Sequence, residues 1–224
     1  YKGYWDADVK FSQKLDSVNK KAEVSYFITK KDPTIISQIY YDIPDPNIKG
    51  FYERNLQKSL LRSNEILDQT KLENEANRIT TLMRQNGFYQ FNNSKQDIYF
   101  TADTLDSRKL VPVTMDIHKD SINSPYKIAT IGNINVAVVE NMTDFKKSTI
   151  KDSLRSINFH KIDDQYKTQA LWRGVILKTG EKYNQKNLDL TKRNLLAMNN
   201  FSIIKSRDSL RRGGTAAPND SIVD

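Results

Sequence analysis

Two stretches of the chain, 61–72 and 177–188, follow the same residue pattern at a constant offset of 116 positions. In each copy a residue that tolerates the left-handed backbone conformation, Asn64 or Gly180, ends one helix. A good N-cap residue, Asp68 or Asn184, then begins the next helix. Because the match covers a whole turn and both of its flanks, the sequence predicts two copies of one structural unit in tandem.

Each copy is predicted to run in the order strand, helix, helix, strand, strand. Alternation of apolar and polar residues predicts the strands, and apolar residues at i, i+4 and i+7 predict the helices. In the first copy the strands are expected at 35–43, 96–102 and 110–118, the first helix carries Phe51, Leu56, Leu60 and Leu61, and the second carries Leu72, Ala76, Ile79, Leu82 and Met83 and ends at Gly87. The second copy begins with a strand at 126–140 and then has a polar insertion at 141–166, for which the pattern indicates no role.

Residues 3–11 and 22–28 predict a β-hairpin before the first full copy. A bare two-stranded hairpin is only marginally stable in water, so these residues are expected to end a larger preceding unit. The predicted domains are therefore 1–31, the C-terminal hairpin of an incomplete preceding domain; 32–120, a complete domain; and 121–224, a second domain with the insertion and a truncated last strand. The natural chain is expected to continue past Asp224.

Composition limits the classes of function. The chain has 224 residues with 35 Lys and Arg against 27 Asp and Glu, no cysteine and two histidines. No apolar run reaches the roughly 18 residues of a membrane-spanning helix, and the absence of cysteine excludes disulfides and thiolate metal sites. His118 falls in a predicted strand and His160 in the insertion, with no second His, no Cys and no spaced carboxylates to complete a metal site or triad, and Asp163 and Asp164 are typical of a polar loop. We therefore predict no catalytic residue, no metal site, no cofactor and no enzymatic activity.

The net charge of +8 raises the alternative of a basic, KH-like nucleic-acid-binding module, which clamps phosphates with a GXXG loop between two helices. Here 62–65 and 178–181 place a carboxylate, Glu65 or Glu181, where a phosphate would approach, so nucleic acid is not an expected partner. Attraction of the scattered lysines to an anionic membrane surface is a further hypothesis. Several aromatic residues are expected to pack in cores rather than stack on bases: Tyr4, Trp5, Phe88, Tyr89, Phe91 and Trp172.

With Gly180-Glu181-Lys182-Tyr183 between its helices and a helix ending in Asn86-Gly87-Phe88-Tyr89, the repeat resembles the POTRA domain of the BamA/TamA family of outer-membrane assembly proteins. The stretch 77–91 is similar to the TamL-like lipoprotein subgroup. The resemblance implies an α+β fold in which each tandem β-α-α-β-β unit is a three-stranded mixed sheet packed against two helices. It also implies a periplasmic arm tethered to a C-terminal β-barrel in the outer membrane. Its partners would be unfolded outer-membrane or surface-export polypeptides and accessory assembly subunits.

In that fold the last strand lies centrally and the second strand lies at an edge of the sheet. For the complete copy the peptide-binding edge would be Asp97, Ile98, Tyr99, Phe100 and Thr101, where an extended client strand pairs by main-chain hydrogen bonds. A proline at Tyr99 or Thr101, whichever directs its N–H outward, is expected to weaken peptide binding. The alternative within the binding class is a POTRA-type structural adaptor for one dedicated protein partner.

Overall fold

The computed structural model describes residues 2–92, 97–118, 126–140, 150–212 and 221–223. The chain divides into two compact units, Tyr1–Ile79 with Asn93–Ile122 and Thr80–Asn92 with Asn123–Asp224. The strands are β1 (Asp8–Asp16), β2 (Lys21–Thr29), β3 (Ile35–Asp42), β4 (Ile98–Ala102), β5 (Leu110–Ile117), β6 (Ala129–Ile131), β7 (Ile134–Val138), β8 (Ile150–Leu154), β9 (Ile157–Lys161), β10 (Leu210–Arg212) and β11 (Ser221–Val223). The helices are α1 (Pro46–Glu53), α2 (Gln69–Arg84), α3 (Thr168–Gly174) and α4 (Gln185–Leu196).

The first unit contains a three-stranded mixed sheet in the order β3-β5-β4. β5 pairs in parallel with β3 and antiparallel with β4, so the last strand in sequence is the central one. Every second residue of β5 is buried, as a strand with one face on a core requires. The core cluster consists of Ile36, Leu67, Val111 and Val113, with Leu72, Ile39, Phe100 and Ala102 packed against it. The predicted α+β class is therefore confirmed.

β1 and β2 form the predicted antiparallel hairpin, in which Phe11 is opposite Tyr26 and Val9 is opposite Ile28. Because side chains alternate across a strand, these four residues share one face of the hairpin. All four side chains are more than half exposed, at 68%, 68%, 55% and 65% for Phe11, Tyr26, Val9 and Ile28. The opposite face is mostly polar, with Lys10 and Ser12 on it, although Phe27 lies opposite Lys10.

The second unit repeats this arrangement in a sheet with the order β10-β11-β6. The central strand β11 pairs in parallel with β6 and antiparallel with β10. A second sheet in this unit has the order β7-β9-β8. The insertion supplies β8 and β9, and β9 pairs in parallel with β7. Its core cluster consists of Ile131, Ile134, Ile157, Phe159 and Leu171. The described part of the insertion is thus built into the core of the unit; residues 141–149 lie outside the described residues.

The turn that recurs at an offset of 116 positions makes the same backbone hydrogen bonds in both copies. In the first unit Ile36 donates to Glu65 and accepts from Asn64, at 2.9 and 2.8 Å. In the second unit Ile131 donates to Glu181 and accepts from Gly180, at 2.8 and 2.7 Å. The interhelical turn is therefore bonded to the first strand in the same way in both copies.

The prediction for the first helix is wrong in its extent and its buried face. α1 begins at Pro46 and ends at Glu53. The Asp45 side chain caps it by accepting from the N–H groups of Asn47 and Ile48. Ile48 and Tyr52 are its buried residues. Leu56 and Leu60 lie beyond the helix and are exposed, Leu61 is buried outside it, and Phe51 is partly buried.

The strand predicted at 126–140 is two shorter strands, β6 and β7, separated at Gly132 and Asn133. The second strand of the first copy, predicted from Gln96, is observed from Ile98, and Gln96 lies outside the described residues. The predicted stripe of α2 is observed: Ala76, Ile79 and Met83 are buried, and Asp68 accepts from the Thr70 N–H at 2.8 Å. Within the part of the chain that the structure describes, no helix is both long and apolar enough to cross a membrane.

Candidate peptide-binding edge

β4 lies at one edge of the sheet β3-β5-β4, and the residues named from the sequence, Asp97 to Thr101, fall on it or directly before it. Ile98 and Phe100 face the core, while the Tyr99 side chain is exposed at 43% and Thr101 is exposed. Asp97 is buried, and its carbonyl accepts from the His118 N–H at 3.2 Å.

The hydrogen-bond pattern shows which groups point away from the sheet. The carbonyl of Asp97 accepts from His118, and the Asp103 N–H donates to the Pro112 carbonyl at 3.1 Å. In an antiparallel ladder every second residue bonds to its partner strand, so Tyr99 and Thr101 also face β5. The N–H and C=O groups of Ile98, Phe100 and Ala102 therefore point outward. The expectation that a proline at Tyr99 or Thr101 would remove an outward N–H is wrong, because both of these N–H groups belong to the ladder.

β4 also carries none of the features that block strand addition. Its five residues, Ile-Tyr-Phe-Thr-Ala, include no charge and no proline. The opposite edge strand, β3, has a register shift between Ile36 and Ile39 and a bridge from Ile35 to Ile66. β8, the edge strand of the insertion sheet, carries Lys151 and Asp152. Of these three edges, β4 has the backbone and side-chain character that best fits an added strand.

The interhelical turns do not present the free N–H groups of a phosphate clamp. The Asn64 N–H donates to Ile36, and the Gly180 N–H donates to Ile131. A GXXG clamp binds the nucleic-acid backbone at this position of a KH domain. In this chain the strand carbonyls already occupy these two donors.

The aromatic residues after α2 pack within the second unit. Phe88 and Phe91 are buried, and the rings of Tyr89 and Tyr183 meet edge to face with centroids 5.0 Å apart. The Arg84 guanidinium lies over both tyrosine rings and donates to the Tyr183 hydroxyl at 2.9 Å. Burial, together with the nearby Asp208 carboxylate, raises the pKa of Tyr89 to about 12.

Of the other three aromatic residues named with them, Tyr4 is partly buried, with the Lys30 ammonium 5.3 Å from its ring centroid, and the two tryptophans are placed differently. The Trp172 ring lies under the Arg155 guanidinium at 4.3 Å, whereas Trp5 is exposed at 52%. Asp163 and Asp164 lie in a loop, as the sequence indicates, and accept from the Gln165 N–H and the Lys161 ammonium.

The sequence also placed no partner near His118, and here the structure differs. His118 directly follows β5, and its Nε2 lies 3.3 Å from a carboxylate oxygen of Asp42 and 3.9 Å from one of Asp116. Asp42 and Asp116 are distant in sequence and meet because β3 and β5 pair in parallel. In the sequence, the signal that could have revealed this grouping is that Asp42 and Asp116 both lie near the ends of predicted strands. Such residues meet when the two strands pair in parallel. His160 lies on β9 in the second unit.

Comparison with solved structures identifies the fold. POTRA domains 3–5 of BamA from Haemophilus influenzae match 99% of this chain and 72% of that chain, with a TM-score of 0.54 and 14% identity. POTRA domains 1–2 of the periplasmic domain of Omp85 from Anabaena match 86% of this chain and 96% of that chain, with a TM-score of 0.38 and 9% identity. No protein-family model and no curated protein matches the sequence. Together with the sheet order, the first of these matches shows that the chain has the fold of tandem POTRA domains.

Proposed function

We propose that this chain is part of the periplasmic arm of an outer-membrane protein assembly factor, and that β4 binds unfolded client or partner polypeptides by strand addition. The observation that carries the proposal is the edge position of β4 with outward N–H and C=O groups at Ile98, Phe100 and Ala102. Main-chain pairing of this kind gives affinity with little demand on client sequence, as a general assembly factor requires. It needs no cofactor and no catalysis.

The proposal includes the domain division drawn from the sequence. Residues 1–31 would end a preceding POTRA domain, whose helices would cover the apolar face of the β1–β2 hairpin. Residues 32–120 and 121–224 would be the next two domains. The arm would continue to a C-terminal β-barrel of the same chain, to which it would deliver unfolded outer-membrane or surface-export polypeptides. Accessory assembly subunits would be its further partners. Assignment to the TamL-like subgroup is part of the same proposal.

The test is an NMR titration of the 15N-labelled chain with an extended ten-residue peptide of alternating aromatic and polar residues. We expect the largest amide shift changes at Ile98, Phe100 and Ala102. Ala102→Pro removes one outward N–H and leaves the ladder to β5 intact, so it should weaken the apparent affinity about tenfold. Ala102→Ser keeps the N–H and is the matched control, with unchanged affinity expected.

Three other results would each count against the proposal. If Ala102→Pro keeps its fold and binds the peptide as well as the control does, β4 is not the binding edge. If only one peptide sequence binds and its scrambled version does not, the structural adaptor for one dedicated partner replaces the assembly arm. If RNA or single-stranded DNA binds tightly and the affinity falls steeply with salt, the KH-like alternative replaces both.

A further inference from the structure

We infer that Asp42, Asp116 and His118 form a binding site for a divalent transition-metal ion such as Zn²⁺. Each residue offers one ligand atom, and these three atoms all lie within 4.8 Å of one another. The site is in the first unit, at the end of the central strand β5, and it requires neither the peptide edge nor the assembly role proposed above.

Strand register places the three side chains on one face of the sheet. Asp42 and Asp116 are direct partners in the parallel β3–β5 ladder. Met115 and Ile117 on β5 are buried in the core, so Asp116 points to the opposite face. His118 comes two residues after Asp116 and lies on that same face. The cluster is therefore on the side of the sheet that faces away from the core.

The electrostatics of this arrangement favour a cation. Like charges directly opposite each other on neighbouring strands destabilise a sheet, and here two carboxylates are register partners. A dication between them converts this repulsion into attraction, and the imidazole supplies a neutral ligand. The exposed fractions of the side chains, 60% for Asp42, 22% for Asp116 and 46% for His118, leave room for water or a further ligand to complete the coordination.

The distances fit the smaller transition-metal ions. Tetrahedral Zn²⁺ with bonds of about 2.0 to 2.1 Å holds its ligand atoms about 3.3 Å apart. Nε2 of His118 lies 3.3 Å from Oδ2 of Asp42 and 3.9 Å from Oδ1 of Asp116. The Asp116 carboxylate has to move closer to the His118 nitrogen to reach this spacing. Because one donor is an imidazole nitrogen, the set suits Zn²⁺ or Ni²⁺ better than Mg²⁺ or Ca²⁺, which prefer oxygen ligands alone.

The test is isothermal titration of the whole chain with ZnCl₂ at neutral pH, since an imidazole binds metal only in its neutral form. We expect one high-affinity ion per chain, and a rise in the unfolding temperature when it binds. His118→Gln and Asp42→Asn should each weaken binding at least about tenfold and remove the thermal shift. His160→Gln is the matched control, because it removes the chain's other histidine and leaves the cluster intact.

Amide spectra of each variant without metal establish that the fold is kept. As a second readout, Zn²⁺ should shift the amide signals of Asp42, Asp116 and His118 before any others, and Mg²⁺ should not. The inference is overturned if wild type binds no Zn²⁺ or binds it only at millimolar concentration. It is also overturned if His118→Gln binds as wild type does, or if His160→Gln loses the binding, since either result means adventitious surface binding.

Discussion

Glu75 is a fully buried carboxylate in the first unit, and its neighbours explain how a charge is kept there. Arg78 donates to both of its oxygens, at 2.8 and 2.7 Å, and the Leu60 N–H donates at 2.9 Å. Burial alone would raise the pKa of Glu75, but the hydrogen bonds from Arg78, Leu60 and Ser59 outweigh it and hold this pKa below its usual value. The donors around Glu75 thus keep this buried carboxylate ionised.

We expect Arg78→Met to lower the free energy of unfolding of the first unit by about 3 to 5 kcal/mol, because it leaves a buried carboxylate without its counter-ion. Urea unfolding followed by tryptophan fluorescence and circular dichroism measures the change. Lys71→Met is the matched control: the Lys71–Glu65 pair is almost half exposed, and its loss should cost less than about 1 kcal/mol. Equal losses in the two variants would show that the buried ion pair stabilises the fold no more than the exposed one does.

The same carboxylate makes stability depend on pH in a defined direction. A carboxyl group with a lowered folded-state pKa stabilises the fold above its unfolded pKa, and that stability is lost as the pH falls through the folded pKa. We therefore expect the free energy of unfolding to decrease as the pH is lowered from about 4, and to decrease less steeply in Glu75→Gln. Parallel acid-unfolding curves for wild type and Glu75→Gln would contradict this assignment.

Gly180 and Asn64 occupy the same turn in the two copies, with φ of +83° and +65°. A Cβ at Gly180 would meet no atom within 4 Å, so any cost of a substitution there comes from the backbone conformation. We expect Gly180→Ala to lower the free energy of unfolding by about 1 to 2 kcal/mol. Gly180→Asn should cost less, because Asn64 adopts this conformation in the first unit. Thermal unfolding compares the two variants, and equal losses would mean that asparagine gains nothing at this turn.

At the scale of secondary-structure elements, the sequence predicts what depends on short-range patterns. α2 has a regular apolar stripe and a capping aspartate, and β5 has a large apolar residue at every second position from Val111 to Ile117, so both were predicted closely. α1 was not, since the choice between Ile48 with Tyr52 and Leu56 with Leu60 depends on where the helix begins. The Asp45 cap and Pro46 decide that point.

The insertion hairpin was missed because its turn carries no usual signal. Arg155 and Ser156 join β8 to β9, and both have positive φ, at +49° and +64°. A two-residue turn of this kind normally contains Asn-Gly or Asp-Gly. The grouping of His118 with two aspartates was missed for a different reason, since it depends on register between distant strands.

The β8–β9 hairpin contributes buried residues to the core of the second unit. Phe159 on β9 is fully buried within its core cluster. We expect Phe159→Ala to lower the free energy of unfolding by about 3 to 5 kcal/mol, as in a true core. Ile203→Ala, at a residue exposed at 69% in the same unit, is the control and should change it by less than about 0.5 kcal/mol. A small effect at Phe159 would mean that the insertion is dispensable for stability.

At the scale of the whole molecule, the net positive charge of the chain favours binding to anionic surfaces. The chain carries +8 at neutral pH, and several basic residues are exposed even where they pair, such as Lys109, Arg108 and Lys178. A basic residue near an anionic bilayer contributes about 1 kcal/mol of attraction, and salt screens this attraction over about 10 Å at 0.1 M. An arm that works beside a membrane would be held near anionic lipid head groups by this attraction.

We therefore expect the chain to sediment with vesicles that contain phosphatidylglycerol at about 20 mM salt, and to be released at about 200 mM salt. Vesicles of phosphatidylcholine alone are the control and should bind little of it. Because the attraction comes from scattered charges, no single lysine substitution should abolish it, whereas lowering the net charge by several Lys→Gln changes should. Binding that survives high salt, or that is equal on both kinds of vesicle, would point to apolar contact instead, and the exposed face of the β1–β2 hairpin would then be the surface to substitute next.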